Sequence, residues 1–497
     1  MPDKVGKQIP VKYLNNKPAF QKARLVWLEK IFLKFRKNFY IVQAIMFLLF
    51  LYLTIAPLFA SVPKSHDTIF TNVTLLSQFL FWGVWYGFCL LSVIVIGRLW
   101  CGLLCPLGAL SEWAGRLGLK REVPRWVKWN GWLVIMFLLV TILGQTMDVR
   151  DDPKGLALLF LYIFVLAFIV GLLFGKRGSR PWCRYFCPIG KILGVVSRLG
   201  ILDFKPNKQR KKTEQLPEYI EGSLCPTDYN LSIKSTTNNC ITCGACTHAK
   251  PKAMLGIYLR KPGFEVKNIM NHSPNWSEII FILITPGLCA GGFLWLILND
   301  YNVFRDYVGG ILLDNNFMWF FNQASPLLSS QTWNQNFTWL DVISITLYMS
   351  FYGMIIALIL AGTNAIASKL ISCNKEQFKK SFKIITYQFI PVAILSIIIG
   401  LCGKFFEVLH DDFNLPELIE VWIKSIMLIS SMLWTFILSY QYVFSLQSVA
   451  FYKKSMALLL VIINILMILY MWWPAILGQG YMSEVEMIRQ HLIVPGK

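Results

Sequence analysis

Seven of the twelve cysteines in this 497-residue chain stand at spacings that suit iron. Cys101 and Cys105 are separated by three residues and followed by Pro106. Cys183, Cys187 and Pro188 repeat that arrangement. Cys240, Cys243 and Cys246 form a tighter run with two residues between neighbours. Thiolate is the ligand form of cysteine, and a 4Fe–4S cluster takes four of them. The two C-x3-C pairs together supply that number. A redox dithiol or a zinc site competes for them, and zinc also competes for the tight run, where its spacing fits poorly.

The tight run resembles half of a bacterial ferredoxin, whose motif is C-x2-C-x2-C-x3-C-P with the fourth cysteine serving the other cluster. Here Lys250 holds the fourth place and Pro251 is kept. Cys225-Pro226 resembles the surviving end of a lost first motif. By that resemblance Cys225 completes a cluster with Cys240, Cys243 and Cys246, and His248 is not required. Of the remaining cysteines, Cys89, Cys289, Cys373 and Cys402, none shows a pairing pattern. Those within or at the end of apolar stretches read as packing.

The C-x3-C pairs belong to an internal repeat offset by 82 residues. Arg98, Trp100, Cys101, Cys105, Pro106 and Gly108 recur as Arg180, Trp182, Cys183, Cys187, Pro188 and Gly190, and Arg116-Leu117-Gly118 as Arg198-Leu199-Gly200. Nine identities in 21 positions indicate duplication of a two-helix unit, both copies pointing the same way. Arg98 and Arg180 suit two roles equally, balancing a cluster's negative charge or snorkelling at the interface beside Trp100 and Trp182.

What positions these units is a membrane. The chain is 55% hydrophobic and 15% charged, yet carries 48 Lys and Arg against 27 Asp and Glu, a net charge of +21. That composition excludes a soluble single domain, a disordered basic chain and a typical nucleic-acid binder. Nine stretches are apolar enough to span: residues 39–61, 77–97, 131–147, 156–175, 276–298, 340–362, 384–402, 418–442 and 456–477. The first follows a 38-residue segment and reads as a retained anchor. Alternate loops hold 40 and 7 of the basic residues. Basic loops stay cytoplasmic, so the N-terminus and all eight proposed ligands face the reducing side, and the C-terminus lies outside. The basic run Lys208–Lys212 then reads as topology signal and solvated linker.

The expected architecture is an all-α polytopic membrane protein of about nine transmembrane helices with a small α+β ferredoxin-like cytoplasmic insert. Residues 1–38 form a basic tail, 39–204 a four-helix membrane module with the duplicated motif, 205–272 the ferredoxin-like domain, and 273–497 a five-helix membrane domain of unassigned role. No histidine falls in a predicted span and no C-x-x-C-H run exists, so haem is not expected. No nucleotide fingerprint is present. Glu278 and Asp341 sit near span ends and read as interface markers, whereas Glu420 and Lys424 are four apart and suit a helical pair. The aromatic loop bearing Trp319, Phe320, Phe321, Trp333 and Trp339 reads as a segment lying on the membrane surface.

Paired Trp-Cys-x3-Cys-Pro-x-Gly motifs followed by a ferredoxin-like stretch resemble the NapH/NosR-type membrane polyferredoxins and the related CcoG-type oxidase assembly factors. The resemblance covers residues 39–260. It implies a bacterial inner-membrane protein that exchanges electrons between the quinone pool and a redox partner protein, through two 4Fe–4S clusters on Cys101, Cys105, Cys183 and Cys187 and on Cys225, Cys240, Cys243 and Cys246. This chain departs from the family in having one full ferredoxin motif, no covalent-flavin domain and five further spans. An assembly-type metal or thiol reductase, or a redox-sensing transporter, are the competing functions.

Overall fold

The computed structural model describes residues 24–35, 38–60, 63–64, 66–146, 153–176, 178–206, 225–229, 234–248, 255–324, 338–401 and 403–493. The Lys208–Lys212 run, Lys250, Pro251, Trp333 and Cys402 lie outside them. Among the described residues, eight helices are long and apolar enough to cross a bilayer: Phe39–Leu58, Val73–Ile96, Gly155–Phe174, Trp276–Ile297, Trp339–Leu370, Lys375–Leu401, Glu417–Ser445 and Phe451–Leu477. Eight of the nine expected stretches are thus accounted for. The other, Trp132–Thr146, is a helix of 15 residues. Residues 147–152, which follow it, lie outside the described residues.

Burial sorts the helices. Lys375–Leu401 is 94% buried over its apolar window, while Glu417–Ser445 is only 28% buried. A stretch apolar on every side, as Ile390–Leu401 is, must be surrounded, and this one forms the central post of the C-terminal half. Beside it Trp276–Ile297 packs on Trp339–Leu370. Gly287 and Gly291, one turn apart, let the backbones approach, and a Cβ on Gly287 would stand 2.5 Å from the Tyr352 carbonyl oxygen. Small residues at a four-residue step are the usual means of close helix contact in lipid.

The small sheet pairs β1 (Leu202–Pro206) antiparallel with β2 (Leu255–Leu259), Leu202 opposite Leu259. Leu202, Phe204 and Ile257 turn one face into a cluster with Phe32. Phe32 belongs to the helix Val26–Phe35, which lies on this sheet. Glu29 of the same helix accepts from the Ile257 N–H and from Arg24, both at 2.9 Å. Part of the basic N-terminal segment therefore builds the insert, a role no periodicity in the sequence announced.

A buried charge network joins the insert to the C-terminal bundle. Arg198 pairs with Glu265 at 2.7 Å and donates to Glu278 at 3.0 Å. Arg260 pairs with Glu265 at 2.8 Å, and the Tyr387 hydroxyl donates to Glu278 at 2.7 Å. Glu278 is 2% exposed, so it is no interface marker. Its helix starts beneath the insert, where a carboxylate is needed between Arg198 and Tyr387. Asp341 caps its own helix and pairs with Arg305 at 2.6 Å. Glu420 and Lys424 form the expected pair on one helix face.

Candidate iron–sulfur site

Each C-x3-C pair spans one wide π-helical turn, Trp100–Leu104 and Trp182–Phe186, rather than an ordinary helical turn or the mouth of a loop. The Cys105 N–H bonds the Trp100 carbonyl and the Cys187 N–H that of Trp182, both at 2.9 Å. Proline then does two things. It drives the preceding cysteine to extended backbone, with ψ of 118° at Cys105 and 114° at Cys187, and it opens the next helix at its first position. Each pair is therefore fixed at a helix start, with the Cys187 sulfur accepting from the Gly190 N–H at 3.2 Å. Single π-turns recur at functional sites because they redirect side chains.

The repeats face each other across these turns. Gly108 of the first backs onto the Cys183 sulfur of the second, 3.1 Å from where its Cβ would be. Cys183 and Cys187 both feel the charge state of Cys101 and Cys105. Burial, then the neighbouring sulfurs, push the Cys105 thiol up to about 11 and the Cys187 thiol up to about 12. Without a cation these groups stay protonated, and binding iron would displace the protons. Cys89 is also buried within electrostatic reach of Cys101, Cys105 and Cys187, a neighbour that spacing alone could not reveal.

The second set comes together as well. Cys225, Cys240, Cys243 and Cys246 all line one pocket, together with Phe204, Tyr229 and Lys234. Thr242 and Gly244, at φ of 47° and 68°, bend the segment between the cysteines around that space. Burial is the largest influence pushing the Cys243 thiol up to about 11. The side chain of His248 lies outside the described residues.

The candidate donors are all cysteine thiols, the ligands that an iron–sulfur cluster takes. Among the described residues no three His, Cys, Asp or Glu converge as one metal ion requires. Zinc gathers its sulfurs about 2.3 Å from one point, whereas a cluster spreads four thiolates around a cube. Among the described residues, the buried donors Arg98 Nε and Nη2, Trp100 Nε1 and Trp182 Nε1 have no hydrogen-bond partner. Arg98 and Arg180 are each 3% exposed, which rules out snorkelling, and Trp182 is equally withdrawn from the interface.

The two sulfur sets are adjacent. Gly102, inside the first π-turn, rests on the tight cysteine run, and a Cβ there would lie 2.3 Å from the Ile241 carbonyl oxygen and 2.8 Å from Cys243 Cα. Arg180 spans both sets. Its backbone N–H bonds the Pro226 carbonyl at 2.6 Å, and its Nη1 bonds the carbonyls of Cys101 and Gly102 at 2.9 and 3.0 Å. Arg184 ties in the Cys225 arm through the Thr227 carbonyl at 2.8 Å.

Comparison with known proteins meets this geometry. A 4Fe-4S binding domain family matches residues 78–124 and 157–209, one C-x3-C-P motif in each segment. YccM of Escherichia coli K12, provisionally named as an electron transport protein, is 30% identical over 206 residues, 35% of this chain and 55% of that one. The ferredoxin-type protein NapH of the same organism is 22% identical over 179 residues, 30% and 58% of the two chains. The regulatory protein NosR of Pseudomonas aeruginosa is 28% identical over 131 residues, 23% and 18% of the two. This chain spans a little over half the length of the first two relatives named here. No solved structure matches it.

A duplicated cysteine-proline module lies among helices apolar enough to span a membrane, with a four-cysteine pocket against it, and the matched 4Fe-4S binding domain falls on that module. Over that module the chain carries the 4Fe-4S binding domain family and is similar to the NapH, NosR and NirI proteins.

Proposed function

We propose that the chain passes electrons between the membrane quinone pool and a redox partner protein by way of two 4Fe–4S clusters. Cys101, Cys105, Cys183 and Cys187 hold one, and Cys225, Cys240, Cys243 and Cys246 the other. The observation that carries this reading is the contact between Gly102 and the Cys240–Cys246 run, which sets two four-cysteine groups side by side. Oxidation of one quinol to quinone releases two electrons and two protons. Two one-electron acceptors match the electron pair, and the protons pass to water. The basic-loop asymmetry supports a bacterial inner-membrane location, both sulfur sets on the cytoplasmic side and the C-terminus outside.

The protein's own part is to hold eight thiolates at fixed separation and to keep water from the buried set. Quinol added to anaerobic proteoliposomes is expected to bleach the iron–sulfur absorption of both sites. Bleaching by dithionite but not by quinol contradicts the quinone assignment. Gly102→Val is expected to force the two sets apart, seen as weaker magnetic coupling between their EPR signals. Unchanged coupling contradicts the direct contact.

A further inference from the structure

Duplication placed the same arginine in both repeats, but their surroundings have diverged. Arg180 Nε donates to Glu112 at 2.8 Å, so a carboxylate offsets its charge. Glu112 has Gly194 as its counterpart 82 residues on. A Cβ on Gly194 would fall 2.1 Å from Asn238 Oδ1 and 2.8 Å from the Asn238 carbonyl oxygen. The insert's asparagine thus occupies the place where a second glutamate would stand. Arg98 accordingly donates Nη1 to the neutral Asn238 carbonyl at 2.5 Å, and no described carboxylate pairs with it.

Its other two nitrogens, Nε and Nη2, have no partner among the described residues, and Nη2 stands 3.2 Å from where a Gly190 Cβ would be, beside Cys187. The first repeat's Ala109 is Lys191 in the second, and Lys191 lies within electrostatic reach of Arg98 and Cys187 as well as of Glu278. A buried cation without an anion is costly, so the arrangement calls for negative charge next to it. Adding an electron to a thiolate-bound cluster adds one unit of negative charge, and nearby charge and N–H donors to sulfur set its potential.

We propose that Arg98 is the positioning residue that makes the membrane-surface site easier to reduce, as the one arginine of the duplicated pair left without a carboxylate. This rests on the reading that Cys101, Cys105, Cys183 and Cys187 hold a cluster. Asn238 also donates to Glu278, so the C-terminal bundle holds the carbonyl on which Arg98 is anchored.

EPR potentiometry on the full detergent-solubilised chain, with iron counted on each sample, tests it. Arg98→Gln is expected to shift the midpoint of the membrane-surface cluster to more negative potential and to leave the other nearly in place. Arg98→Lys restores most of the shift. Glu112→Gln, which uncovers Arg180, shifts the midpoint to more positive potential. If Arg98→Gln retains its iron and the midpoint does not move, the proposal is overturned while the cluster assignment stands. If that variant loses iron, Glu112→Gln decides, a positive shift supporting the proposal and none overturning it. About four irons in the unmodified chain, in place of about eight, with the content unchanged by Cys183→Ser would remove the membrane-surface cluster and this proposal with it.

Discussion

Serine in place of Cys183 is expected to lower the iron content of the anaerobically purified chain by about half, and serine in place of Cys243 to do the same independently. Serine keeps the volume of cysteine but seldom ionises, so it removes one ligand and leaves the fold close to native. Cys183 lies against Gly108 of the opposite repeat, so its loss also breaks the bridge between the two halves of the module. Cys243 lines the pocket shared by Cys225, Cys240 and Cys246. The double variant should retain almost no iron. If Cys183→Ser keeps the full content, the C-x3-C pairs are thiols and the electron path must begin elsewhere.

Glu265→Gln is expected to be the most destabilising single change outside the cysteines. Glu265 is fully buried between Arg198 and Arg260, and it also accepts from the Thr237 hydroxyl at 2.8 Å. Breaking a buried pair from one side costs about 3–5 kcal/mol, because the remaining charge stays in place without its partner. The two arginines outweigh burial and hold the Glu265 carboxyl down at about 2, against 4.5 for a free glutamate. A depressed carboxyl stabilises the folded state fully above its unfolded value and loses that contribution as pH falls through its folded value. The wild type should therefore lose roughly 3 kcal/mol between pH 4.5 and about 2. Acid unfolding followed by near-UV circular dichroism checks this. The variant should unfold at lower temperature near neutral pH and lack that share of the acid sensitivity. An unchanged profile would mean that Glu265 does not hold the insert to the bundle.

Much of this site could be read from spacing alone. Cysteines four positions apart beside proline, twice at one offset, already imply a paired module, and Cys225 entered through the resemblance of Cys225-Pro226 to the end of a ferredoxin motif. Hydropathy likewise found each of the eight described helices that is long enough to span. The wide turns were not legible, because a C-x3-C step has the same spelling in an α-helix and a π-turn. Arg98 and Arg180 could not be told from interfacial arginines, since burial depends on what the other repeat and Asn238 bring to them. Glu278 misled for a related reason. A carboxylate near the end of an apolar stretch resembles an interface marker until Arg198 and Tyr387, 80 and 109 residues away, are seen around it. The helix Val26–Phe35 shows the same limit, because the surface it covers is made by residues far along the chain.

Counting iron and acid-labile sulfide in the unmodified, anaerobically purified chain tests the two-cluster assignment most directly. Two clusters predict about eight of each per chain, whereas about four of each would leave one sulfur set without a cluster and contradict it.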